Sequence, residues 1–106
     1  MTYQNSLAAL ADPTRRKILE QLRSGPRSVG QLAAGLPVSR PAVSQHLRIL
    51  KEAHLVSEKR EGTRRIYAVE AEGLADLRAY LEGFWQDVLA SFKEAAESDV
   101  GGTNAR

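Results

Sequence analysis

Residues 38–69, VSRPAVSQHLRILKEAHLVSEKREGTRRIYAV, switch from a helical period to a strand period, and that switch constrains the fold more than any other feature of the chain. On a helical wheel Val43, Leu47 and Leu50 fall within about 60° and must face a core. The opposite arc carries Arg40, Pro41, Ser44, Gln45, Arg48 and Lys51. Leu55 to Arg60 and Arg64 to Val69 then read as two strands, with Glu61-Gly62-Thr63 as the turn between them. A two-stranded ribbon is marginal by itself, so Leu55, Ile66 and Tyr67 must pack it onto helices. The expected fold is therefore mainly α with a small β-hairpin.

The flanking segments supply those helices. Tyr3 to Ala11 places Leu7, Leu10 and Ala11 on one face of a short helix. Asp12-Pro13 restarts the chain, because Asp accepts hydrogen bonds as an N-cap and Pro suits a first helical position that needs no amide partner. This second helix runs to about Ser24 with Ile18, Leu19 and Leu22 inward, and Gly25-Pro26 ends it. Ser28-x-x-Gln31 is a capping-box pattern opening a third helix, whose apolar positions are Val29, Leu32, Ala33 and Leu36. After the Gly35–Pro37 turn, Ser39 can cap a fourth helix that tolerates Pro41 in its first turn. Helices three and four, a few residues apart, form a helix-turn-helix. From Ala71 to about Glu97 one long helix carries two apolar stripes. One is Leu74, Leu77, Leu81, Phe84 and Val88; the other is Tyr80, Trp85, Leu89 and Phe92. Together they make a face wider than one small body requires. Residues 1–97 are expected to form one domain, and residues 98–106, SDVGGTNAR, a flexible tail.

A chain of 106 residues buries only about 60–65% of its unfolded surface, so association would help to stabilise it. It has no cysteine, which removes disulfides, zinc–thiolate sites and thiol redox sensing. No apolar run approaches the ~20 residues of a membrane span, and the N-terminus lacks a secretion signal, so a cytoplasmic protein is expected. The formal net charge of +2 conceals polarity. Residues 13–69 hold twelve Lys/Arg against four Asp/Glu, a net of +8, whereas residues 70–106 hold three against eight, a net of −5.

That distribution turns the helix and hairpin toward duplex DNA. A helix fits the major groove, where Arg reaches guanine and Gln reaches adenine bidentately, while Ser reads a base or a phosphate. Arg40, Ser44 and Gln45 are placed for this, with Ser39, Pro41 and Arg48 beside them. Arg60, Arg64 and Arg65 surround the hairpin turn, ready to enter a minor groove or grip phosphate. Arg15, Arg16 and Lys51 are expected to add sequence-independent affinity. His46, near the edge of the core-facing arc, has two readings: a packed or backbone-bonded residue, or a phosphate contact.

The run as a whole resembles the winged helix-turn-helix of the ArsR/SmtB family of bacterial repressors. The carrying residues are Ala11-Asp12-Pro13-Thr14-Arg15-Arg16, Leu32-Ala33, Val43-Ser44-Gln45-His46-Leu47, Leu50, Leu55-Val56 and Gly62-Thr63-Arg64-Arg65-x-Tyr67. The resemblance spans roughly Leu7 to Phe92. It implies a DNA-reading helix containing Arg40, Pro41, Ser44, Gln45 and His46, and a wing containing Arg60, Arg64 and Arg65. It also implies a homodimer through the first and last helices, for which Leu7, Leu10, Leu77, Tyr80, Leu81, Phe84, Trp85, Val88 and Leu89 are the candidates. Many members of that family sense metals through helix-three cysteines or through Asp, His and Glu on the last helix. Here helix three has no thiolate or histidine, and the last helix offers Asp87, Glu94 and Glu97 but no histidine, a poor donor set for zinc or nickel. The chain is most similar to metal-independent members, the SdpR-like autorepressors among them. His54 stands where the family often has glycine, and histidine can adopt a left-handed backbone at modest cost.

The expected function is a homodimeric transcription repressor on an inverted-repeat DNA operator, with no metal or other cofactor and no membrane partner; no effector is identified. Two alternatives stay open: a low-specificity architectural DNA-binding protein, and a winged-helix protein-interaction module. Phe84, Trp85 and Phe92 fit a dimer core, or a small-molecule pocket between subunits. An enzyme is not expected, since Ser44 and His46 are two apart on one helix and do not face each other.

Overall fold

The computed structural model describes residues 3–102, with side-chain burial for residues 3–98. Five helices and three strands follow in the order α1 (Tyr3–Ala9), α2 (Pro13–Leu22), β1 (Arg27–Ser28), α3 (Val29–Ala34), α4 (Arg40–Glu52), β2 (Val56–Glu61), β3 (Arg64–Val69) and α5 (Ala71–Gly102). The sheet is antiparallel with order β1-β3-β2. This is a winged helix-turn-helix. The expected hairpin is present, with Lys59 opposite Ile66 and Glu61 opposite Arg64, and Gly62 at φ 63 in its turn.

Local chemistry sets the helix boundaries. The Asp12 carboxylate accepts the Arg15 amide at 3.0 Å and starts α2 with Pro13 in its first turn. Ser28 and Gln31 complete a reciprocal capping box on α3: the Gln31 amide donates to Ser28 Oγ at 3.2 Å, and the Ser28 amide to Gln31 Oε1 at 2.8 Å. Ser39 Oγ accepts the Ala42 amide to start α4. At the other end of α4 the His54 amide donates to Lys51 O and the Leu55 amide to Leu50 O, each at 3.0 Å. That is the Schellman pattern, with its apolar contact supplied by Leu50 and Leu55. Its left-handed position is His54, at φ 59.

The core lies where α2, α3, α4 and the inner ends of the hairpin meet. Ile18, Leu32, Val43, Leu47, Leu50, Leu55 and Val56 are fully buried, and Tyr67 nearly so. Full burial of such aliphatic side chains contributes about 1.5–3 kcal/mol each, so this short list dominates the stability of the body.

Two departures from the sequence reading have physical causes. β1 is a two-residue strand in which Arg27 opposes Tyr67 and Ser28 opposes Ile66, too short for a periodic signal. Helix α5 continues to Gly102, beyond the expected end near Glu97; no proline or glycine interrupts residues 84–100. Of the expected tail, residues 98–102 therefore continue this helix, and residues 103–106 lie outside the described residues. Leu10, a candidate for the dimer contact, is half-buried in the single subunit, as Leu77 and Val88 are, and lines a pocket with Leu19, Val69 and Leu74.

The base of α5 is pinned to the body. Ser6 Oγ donates to Gly73 O at 2.9 Å, the Gly73 amide donates to His54 O at 2.8 Å, and the Tyr3 and Tyr80 rings stack at 4.0 Å. Beyond that base the helix projects, which accounts for overall dimensions of 71 × 26 × 21 Å.

Candidate nucleic-acid interface

Packing of Val43, Leu47 and Leu50 into the core leaves Ser39, Arg40, Pro41, Ser44, Gln45 and Arg48 on the exposed arc of α4. The wing stands beside this arc, with Arg60, Arg64 and Arg65 exposed. Two polar clefts lie between helix and wing. One of about 470 Å³ is bordered by Arg40, Ser44 and Arg64, the other, of about 340 Å³, by Gln45, Arg48 and Arg65. Six of the ten sequence-predicted DNA-contact residues line these clefts, Arg40, Ser44, Gln45, Arg48, Arg64 and Arg65, and Ser39, Pro41 and Arg60 are exposed near them.

His46 is the exception. It is partly buried, with Nδ1 3.3 Å from Arg15 Nη1 and 3.9 Å from the Asp12 carboxylate. The packed reading of His46 therefore matches its position, at the seam between α4 and α2. The hydrogen bond from the Arg15 amide, with Arg15 and His46 nearby, holds the Asp12 carboxyl below its usual range.

Arg15 and Arg16 are also used inside the subunit. Arg15 Nε donates to Ala9 O at 2.6 Å, and Arg16 Nη1 to Leu10 O at 2.8 Å. Both guanidiniums thus bond carbonyls at the end of α1, and the exposed Arg16, which uses only Nη1, keeps its other nitrogens open to a ligand. Lys51 is likewise engaged. Its ammonium bonds Glu58 Oε1 at 2.9 Å, and Arg65 Nε lies 3.2 Å from Glu58 Oε2. That hydrogen bond lowers the Glu58 pKa and raises that of Lys51. Glu58 thereby clamps β2 to the end of α4 and to β3, setting the angle of the wing. Glu58 lies two residue pairs from Arg65 in the hairpin register, on the same face of the sheet. Among the described residues, Arg40, Arg48, Arg60 and Arg64 form no ion pair and keep their donors for a ligand.

Comparison with known proteins bears on this geometry. Residues 12–58 match the family "Bacterial regulatory protein, arsR family". The chain is 53% identical over 91 residues to the HTH-type transcriptional regulator Rv2034 of Mycobacterium tuberculosis, covering 86% of this chain and 85% of the relative. The chain belongs to the arsR family. It is a DNA-binding transcriptional regulator and not an enzyme. Another relative is the transcriptional repressor SdpR of Bacillus subtilis, 40% identical over 72 residues, covering 68% of this chain and 80% of that one. A solved winged helix-turn-helix DNA-binding domain, the homodimeric Mb0332 fragment from Mycobacterium bovis, shares 32% identity with a TM-score of 0.64, covering 79% of this chain and 78% of that one.

The stretch of this arsR-family chain matched to the family runs from the cap of α2 to the clamp residue Glu58, and so contains the whole of α4. Outside it lies the long α5, whose apolar face is exposed in the single subunit. Phe84 is 62% exposed, Trp85 55% and Phe92 66%, with Tyr80, Leu81, Leu89 and, on α1, Leu7 also open. Leu77 and Val88 are half-buried.

One grouping in this arsR-family chain was missed from sequence. His54 Nδ1 lies 3.7 Å from Glu70 and 3.5 Å from Glu72, and ligand atoms of the three fall within 4.8 Å of one another. The β2–β3 hairpin returns the chain to His54, where the Glu70 amide donates to Leu55 O at 2.9 Å and the Gly73 amide to His54 O at 2.8 Å. The set holds a single nitrogen donor and partly exposed carboxylates, a weak site for a transition metal. Among the described residues no helix is long and apolar enough to cross a membrane.

Proposed function

We propose that this chain acts in the cytoplasm as a homodimeric repressor of an inverted-repeat operator, without metal sensing. The observation that carries the reading is the separation of two unpartnered surfaces. The unpaired cations of α4 and the wing occupy one face, and the apolar face of α5 is left open elsewhere. A twofold axis through α1 and α5 would bury the second and duplicate the first. Two α4 helices would then enter successive major grooves about 34–36 Å apart. Ser44 and Gln45 on the exposed arc are the proposed base readers, and Arg60 with Arg64 the proposed wing contacts.

The test is binding to a selected operator and to a scrambled duplex of the same composition. Gln45→Ala should lose the operator preference, whereas changing Arg60 and Arg64 together should weaken both duplexes and flatten the salt dependence. If the parent binds both duplexes alike, the chain is an architectural DNA-binding protein. If it binds no duplex at low salt, the protein-interaction reading replaces this one. Zinc should leave the melting temperature unchanged; a rise that disappears in His54→Ala would overturn the metal-free reading.

A further inference from the structure

Arg40 stands at the start of the reading helix, where its sequence position suggests contact with guanine. Its side chain lies elsewhere. A Cβ placed on Gly30 would come within 3.0 Å of Arg40 Nη2, 3.4 Å of Cζ and 3.9 Å of Nε. The guanidinium therefore lies beside α3 at Gly30, in space that a side chain at residue 30 would crowd. It forms no hydrogen bond or ion pair among the described residues, so all five of its N–H donors are unspent.

Arg40 itself lines the 470 Å³ cleft, together with the wing-tip residues Thr63, Arg64 and Arg65. Arg64 and Arg65 line it with Arg40, as do the hydroxyl-bearing residues Ser28, Ser44 and Thr63. Arg65 gives only its Nε to Glu58, leaving its terminal nitrogens available. Ser28 Oγ accepts from the Gln31 amide and can still donate its own proton. Three cations and three hydroxyls around one cleft, with no carboxylate among its lining residues, match a phosphodiester and not a base edge. Phosphate accepts from several donors at once, whereas a guanine edge needs one guanidinium extended alone into the groove.

We propose that Gly30 positions Arg40 so that it closes, with the wing arginines, on a single DNA backbone phosphate instead of reading a base. Helix α3 thereby contributes to the interface through a missing side chain, and the wing and reading helix are locked onto one strand together. This rests on the DNA-binding reading above.

The experiment measures affinity across a salt series for a selected operator duplex and a scrambled duplex, using the parent, Arg40→Ala, Arg40→Lys, Gly30→Ala and Gly30→Leu. Alanine and leucine are good helix formers, and circular dichroism confirms that each variant is folded. Arg40→Ala should weaken both duplexes by the same factor, roughly ten-fold, and reduce the log–log salt slope by about 0.9 per subunit. Arg40→Lys should retain most of the slope. Gly30→Leu, which fills the space beside Arg40, should reproduce the Arg40→Ala loss, with Gly30→Ala intermediate. Combining Gly30→Leu with Arg40→Ala should add nothing further, because both remove the same contact. The proposal is overturned if Arg40→Ala weakens only the operator, which would make Arg40 a base reader. It is equally overturned if Gly30→Leu binds both duplexes like the parent. A parent that binds neither duplex would sink the DNA-binding reading itself, and this inference with it.

Discussion

Replacing Gly73 by alanine should destabilise the fold by about 2–4 kcal/mol, although alanine is the better helix former. A Cβ at residue 73 would lie 2.7 Å from His54 O and 2.9 Å from His54 C, and closer still to Ala53 O. All three are backbone atoms of the turn that ends α4, so no side chain can swing aside. Helix α5 must lift away, which strains two hydrogen bonds at the crossing: the Gly73 amide to His54 O and Ser6 Oγ to Gly73 O. Overpacking costs about 1–3 kcal/mol, and each weakened bond about 0.5–1.5 kcal/mol. The gain in helix propensity offsets at most about 1 kcal/mol. For a domain of this size the melting temperature should fall by roughly 8–20 °C. Gly83→Ala is the control, on the same helix with nothing within 4 Å of the added atom, and it should melt at or above the parent temperature. Thermal unfolding followed by circular dichroism decides the matter. A Gly73→Ala protein as stable as the parent would show that α5 is not held to the reading helix through this crossing.

The clamp at Glu58 predicts a pH dependence. Because Lys51 holds its carboxyl below the usual 4.5, its contribution is present above pH 4.5 and is lost as pH falls through the lower folded value. Glu58→Gln should therefore flatten the acid limb of a stability–pH curve, and an unchanged limb would contradict the pairing. Changing Phe84 and Trp85 to glutamate should leave a folded monomer by sedimentation, since both are exposed in the single subunit; an intact dimer would place the interface elsewhere. Ser28→Ala removes the capping box and should lower the urea midpoint by an amount equivalent to about 0.5–2 kcal/mol; no change would mean that the cap is idle.

The features legible in the sequence were those governed by neighbours in the chain. Asp12, Ser28 and Ser39 cap the helices they precede, and Gly62 turns the hairpin, because caps and tight turns depend on a few adjacent backbone groups. His54 adopts the left-handed backbone in place of glycine, as its position after α4 required. The features that escaped depend on partners far along the chain. The pairing of Arg27 with Tyr67 joins residues 40 positions apart. Arg15 and Arg16 carry the charge of phosphate ligands, yet both also bond carbonyls at the end of α1. The place of Arg40 beside Gly30 has no sequence signal, since a glycine in a short helix reads only as a weak helix former.

Selection of bound sequences from a random duplex pool tests the central claim most directly, because it reports specificity and symmetry together. A homodimer presenting two α4 helices should recover an inverted repeat with half-sites about one helical turn apart, centre to centre. Recovery of a single asymmetric site, or no enrichment over the starting pool, would contradict it.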